Sequence, residues 1–111
     1  MKATETKLKG CFILEPTVFE DSRGYFFESY NENKIEEILG YKPTFVQDNQ
    51  SKSSYGVVRG LHMQAGEHAQ AKLVRVVEGA VIDVAVDVRP GSETYGQSVA
   101  VELSADNKKQ L

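Results

Sequence analysis

Cysteine, histidine and long apolar runs are what this sequence has least of. Its single cysteine, Cys11, permits no internal disulfide, which suits a reducing cytoplasm. Beside Phe12 it reads as a small core side chain and not as a nucleophile. No stretch approaches the roughly 18 consecutive apolar residues that a membrane span needs. The opening MKATETKLKG has no apolar segment that could act as a signal peptide. An excess of positive charge is missing as well: the formal net charge is −3. Nucleic acid and anionic membrane surfaces are therefore poor general partners, and any anionic ligand must meet a local cluster of Arg and Lys. Internal repeats, low-complexity tracts and Pro-, Gly- or Ser-rich linkers are all absent, so the 111 residues read as one domain. A soluble, cytoplasmic protein is expected. A core of this size is modest, and association would help it.

What is present is mostly strand and turn. Cys11 to Leu14 reads as a first strand stopped by Pro16, and residues 1–10 as a loose polar arm that a neighbouring chain could order. Asp21-Ser22-Arg23-Gly24 is a turn signal, and the aromatic run Tyr25 to Tyr30 follows as a strand. One short surface helix is predicted over 32–39. Asn31 can cap it, Ile35, Ile38 and Leu39 recur at helical spacing, and Gly40 can end it in a left-handed conformation. Extended segments then recur at Thr44–Gln47, Val57–Met63 and Leu73–Val77. Ile82, Val84, Val86 and Val88 alternate with Val81, Asp83, Ala85 and Asp87. Val99, Val101 and Leu103 alternate with Ser98, Ala100 and Glu102. Short strands evenly spaced by Gly-containing turns predict an all-β antiparallel sandwich or barrel, with jelly rolls among the candidates. Ser104 to Asn107 is a turn that should launch another strand, so the final strands are expected beyond Leu111 or from a partner.

With two histidines in the chain, few His-based constellations are open. His68 lies in a polar loop, Ala65 to His68, where a solvated side chain is the ordinary reading. His62 follows Arg59-Gly60-Leu61, and Lys72 and Arg75 come shortly after. A strand histidine taken alone is more often a hydrogen-bonded structural residue; its cationic company shifts that balance. Metal binding is disfavoured. The second position of a His-x-His pair is Gln64, and Asp83 and Asp87 with one histidine make an incomplete set. Arg23 and Arg59 carry the planar fork that suits pyrophosphate oxygens, although either alone would more often be paired surface charge. Gln47-Asp48-Asn49-Gln50 can read hydroxyls or a nucleobase edge, and is equally ordinary turn chemistry.

Five stretches together are similar to the dTDP-4-dehydrorhamnose 3,5-epimerase family. They are Phe19 to Glu28, Gln47 to Ser51, Gly56 to His62, Gln70 to Val74 and Gly79 to Asp87, in family order and spacing from about Gly10 to Leu111. The resemblance implies a cupin-type antiparallel β jelly roll, here its N-terminal part, and a homodimer with exchanged N-terminal strands. It implies a reaction without metal or cofactor that inverts carbons 3 and 5 of dTDP-4-dehydro-6-deoxy-D-glucose. By position, His62 resembles the general base and Lys72 the residue that steadies the enolate oxygen. Arg23, Glu28, Gln47, Asp48, Asn49 and Arg59 match substrate-binding positions, with Arg23 and Glu28 able to serve a partner's site. The family's proton-donating tyrosine and base-orienting carboxylate fall after Leu111, and none of Tyr25, Tyr30, Tyr41, Tyr55 or Tyr95 matches the donor. The chain is therefore expected to be a C-terminally truncated epimerase. A non-catalytic dTDP-sugar module, an epimerase of a related keto-sugar acting at one carbon, and a metal-dependent cupin are the alternatives. A smaller departure, Ser92-Glu93-Thr94 where the family often has Pro, falls in a turn.

Overall fold

A computed structural model describes all residues, 1–111. Its strands pair as three separate two-stranded antiparallel sheets. β1 (Lys2–Glu5) pairs with β2 (Phe12–Glu15), β3 (Val18–Asp21) with β4 (Gly24–Phe27), and β5 (Ala80–Val86) with β6 (Ser98–Ser104). One helix, α1 (Glu32–Leu39), follows β4. The element content is strand-rich and helix-poor.

The N-terminal residues are not a loose arm. Lys2 to Glu5 run in register against Glu15 to Phe12, and an ion pair of 3.7 Å joins Lys2 to Glu15. The connection is tied internally: the Thr6 and Cys11 backbones bond, the Glu5 carboxylate accepts from the Gly10 N–H, and Leu8 is buried. Polarity misled the sequence reading here, because a strand that makes its own hairpin needs only one apolar anchor.

α1 forms as predicted. The Asn31 side chain accepts from the Lys34 N–H, Gly40 closes the helix at φ 76°, and Ile35 alone is buried. The aromatic strand is shorter than predicted, ending at Phe27. Beyond it the Ser29 carbonyl accepts from the buried Gln110 side chain at 2.8 Å.

Thr44–Gln47, Val57–Met63 and Leu73–Val77 have extended patterns in the sequence, but none is a strand; this region holds a turn at Tyr55–Gly56, a 3-10 turn at Gly66–His68 and an isolated bridge at Arg75. A strand exists only through its pairing. Here pairing is confined to the Val74–Arg75 edge, where Val74 and Leu111 exchange bonds of 2.8 and 3.0 Å. Gln110 in turn exchanges two 2.9 Å bonds with Leu14. The turn after Ser104 thus does launch a further strand-like segment, wedged between β2 and Val74–Arg75.

In the β5–β6 ladder Val81 faces Leu103 and Asp83 faces Val101. On β6 Leu103 is fully buried and Val101 nearly so, whereas Val81 on β5 is exposed. The other face carries Ile82 and Val84, both exposed. Asp87 ends β5: its backbone pairs with Gln97 and Gly96. Its buried carboxylate accepts from Arg89, Ser92 and Thr94. Arg89 also donates to the Lys9 carbonyl at 2.8 Å, pinning the β1–β2 turn to the β5–β6 loop.

Candidate active site and its relatives

Arg23 projects from the β3–β4 hairpin tip. The Asp21 carboxylate accepts from its backbone N–H at 2.8 Å and meets its Nη2 at 2.6 Å. This pairing holds the Asp21 carboxyl below the usual carboxylate range and raises the guanidinium. The pair is exposed, so it stabilises little and can be exchanged for another anion. Glu28, just past β4, accepts from Lys34 Nζ at 2.7 Å and Asn31 Nδ2 at 3.0 Å. Lys34 first, then Asn31, hold its carboxyl low. Glu28 is therefore an ionised acceptor fixed against the first turn of α1.

Between α1 and β5 the remaining candidates stand on irregular backbone. Gln47 Nε2 donates to Asn49 Oδ1 at 3.0 Å, bringing two of them together with Asp48 between. Arg59 Nε donates to Ser53 Oγ at 2.9 Å and Nη2 to the Lys52 carbonyl at 3.1 Å. These bonds brace the guanidinium against the preceding loop and leave Nη1 without a protein acceptor. His62 and Lys72 make no hydrogen bond or ion pair. The imidazole lies over Gly60, at which a β-carbon would stand 3.6 Å from ring atoms Cε1 and Nδ1. His68, read as a solvated loop residue, is exposed and nearest Glu67 at 3.7 Å.

Among the eight candidates, then, only Gln47 and Asn49 touch through hydrogen bonds. Arg23, Glu28 and Arg59 are each held by a neighbour: Asp21 of the predicted turn, Lys34 with the helix cap Asn31, and Ser53. The Asp87 cluster was missed; its signal was an Asp-x-Arg spacing followed by Ser and Thr in the same turn. No three His, Cys, Asp or Glu side chains converge, and Asp87 is taken up by Arg89. What these residues offer chemically is one unengaged imidazole, one unengaged ammonium and a braced guanidinium: a base, a cation and an anion fork.

The strand-rich fold with one short helix is of the cupin-type jelly-roll class. The family model for dTDP-4-dehydrorhamnose 3,5-epimerase matches residues 5–111, and the chain belongs to that family. It is 58% identical over its whole length to the dTDP-4-dehydrorhamnose 3,5-epimerase of Escherichia coli, of which it covers 60%. Its backbone matches the crystal structure of the Elizabethkingia anophelis enzyme at a TM-score of 0.93 and 64% identity, covering 99% of this chain and 60% of that one. The Legionella pneumophila epimerase, solved in complex with dTDP-4-keto-L-rhamnose, matches at a TM-score of 0.92 and 49% identity, over 98% of this chain and 57% of that one. The chain thus spans about three fifths of the length of the relatives it matches.

Proposed function

We propose that these residues form the base side of a site that epimerises dTDP-4-dehydro-6-deoxy-D-glucose at carbons 3 and 5, giving dTDP-4-dehydro-L-rhamnose. The observation that carries the reading is that the His62 and Lys72 side chains are both unengaged, while Arg59 is braced by Ser53 and the Lys52 carbonyl with Nη1 open to an anion. The keto-rhamnose nucleotide bound to the Legionella relative supports the substrate class.

The chemistry follows from the groups. His62 takes the proton from the carbon beside the C4 ketone, and the C–H electron pair moves into the ring as the ketone oxygen becomes an enolate. Lys72 supplies the fixed positive charge that makes this proton acidic enough to remove. Imidazole is the side chain most often used for such proton transfer at neutral pH. Reprotonation from the opposite face inverts the centre, and the acid for that step is expected after Leu111. Arg59 and Arg23 hold the diphosphate, while Glu28, Gln47, Asp48 and Asn49 read the nucleoside and sugar hydroxyls. No metal or cofactor enters this scheme. The working molecule is a homodimer with exchanged N-terminal strands, in which the β3–β4 hairpin carries Arg23, and Glu28 just after it, to the partner's site.

Solvent deuterium incorporation tests this. The full-length protein in D₂O should place deuterium at carbons 3 and 5 of the keto-sugar, and His62→Ala should abolish it. Label at one carbon only would assign a mono-epimerase. Tight dTDP binding without any exchange would assign a binding module. Undiminished exchange in His62→Ala would exclude His62 as the base.

A further inference from the structure

Gln110 is 1% exposed, and its backbone is held by two bonds to Leu14 on β2. Its side chain reaches 81 residues back along the chain, where Nε2 donates to the Ser29 carbonyl at 2.8 Å. A carbonyl can only accept, so this bond also settles which way the amide points. Oε1 is buried and takes no bond from residues 1–111. A half-satisfied buried amide is a poor source of stability; what this one supplies is direction. What it directs is a small unit. The Glu28 carboxylate accepts from Asn31 and Lys34, and Glu32 pairs with Lys42, so residues 28–42 are bonded among themselves. No other hydrogen bond or ion pair joins them to the rest of the chain. Ile35 also buries its side chain, but apolar burial is non-directional. The Gln110–Ser29 bond is therefore the one directional link between the sheets and the segment that carries Glu28.

We infer that Gln110 is a positioning residue: its amide docks the Ser29 carbonyl and so sets where Glu28 meets the substrate. The inference rests on the reading of Glu28 as a substrate-binding residue. Gln110 acts through Glu28, so its loss should fall on substrate binding and leave unchanged the chemical step, which belongs to His62 and Lys72.

Gln110→Met keeps the length of the side chain and removes its donor. In the full-length protein it should raise KM for dTDP-4-dehydro-6-deoxy-D-glucose roughly 3–10-fold and hold kcat within about twofold. Leu103→Ala, which removes buried packing on β6, controls for lost stability and should keep KM. The decisive readout is coupling. In a Glu28→Ala background, Gln110→Met should change KM by no more than about twofold, because both changes disable the same contact. A second variant serves if Gln110→Met fails to fold. Replacing the Ser29–Tyr30 peptide bond by an ester weakens the Ser29 carbonyl as an acceptor and leaves Gln110 in place; the Tyr30 N–H it removes makes no hydrogen bond. KM should then rise about 2–5-fold. An unchanged KM in either variant, an effect that adds in full to that of Glu28→Ala, or an equal rise of KM in Leu103→Ala would each overturn the inference. Glu28→Ala is also measured alone. If it leaves KM unchanged, Glu28 does not bind substrate, and that reading fails together with the inference. If it raises KM while Gln110→Met does not, only the inference fails.

Discussion

Arg59 and Lys72 differ in what already holds them, and that difference predicts different kinetic signatures. Arg59 is braced by Ser53 and the Lys52 carbonyl, so it is preorganised to receive an anion. A charge-assisted bond to phosphate contributes about 1.5–3 kcal/mol. Arg59→Ala should therefore weaken dTDP binding roughly 10–100-fold, with a shallower salt dependence, both read by calorimetry. Lys72 has no protein partner, and its charge matters most when the enolate forms. Lys72→Met should lower kcat by about 10²–10³-fold, well beyond its effect on dTDP affinity. A loss of affinity as large as the loss of kcat would make Lys72 a binding residue alone. The sequence could name both residues because the type and order of side chains in a motif survive without geometry. It could not say that Arg23 is paired with Asp21 or Glu28 with Lys34. Those pairings depend on where a hairpin tip and a helix end place neighbouring side chains.

At the level of elements, locality decides what could be read. α1 carries its cap, its apolar stripe and its terminating glycine within ten consecutive residues, Asn31 to Gly40, so its boundaries were legible. The β3–β4 turn and the β5–β6 alternation were legible for the same reason. Val57–Met63 and Leu73–Val77 have strand-like composition, yet composition says nothing about a pairing partner, and their amides find almost none here. The Asp87 cluster makes a pH prediction at this scale. Arg89 foremost, then Ser92 and Thr94, depress the Asp87 carboxyl far below its ordinary value. A depressed folded-state pKa stabilises the fold above the unfolded-state value of about 4. That stability is lost as pH falls from there toward the folded-state value. Asp87→Asn should lower the melting temperature at pH 7 and flatten its fall below about pH 4. An unchanged acid slope would show that other carboxylates govern the loss. For packing, Leu103 on β6 is wholly buried, and Leu103→Ala should cost about 2–5 kcal/mol in denaturant unfolding.

For the whole molecule, shape and surface agree. The radius of gyration is 15.1 Å and the extents are 51 × 36 × 26 Å, against about 13 Å for a compact domain of this length. Only Leu8, Leu14, Ile35, Val101 and Leu103 form a buried apolar core. Phe19, Tyr25 and Phe26 on the β3–β4 hairpin, and Ile82 and Val84 on β5, face outward instead. Exposed apolar side chains on a hairpin, such as the cross-strand pair Phe19 and Phe26, mark a place where protein packs. The hairpin that carries them also carries Arg23 at its tip, and Arg23 makes no contact with His62, Lys72 or Arg59. A two-fold dimer that lends the hairpin would cover the aromatics and deliver the cation in one step. Subunit mixing tests this directly. Arg23→Ala and His62→Ala enzymes should each be nearly inactive as homodimers. After unfolding and co-refolding in equal amounts, half of the dimers are mixed, and one site in each unites an intact His62 with the partner's intact Arg23. Activity should then recover to about a quarter of the wild-type value. If Arg23 instead serves the site of its own chain, every site in the mixture keeps one lesion and no activity returns.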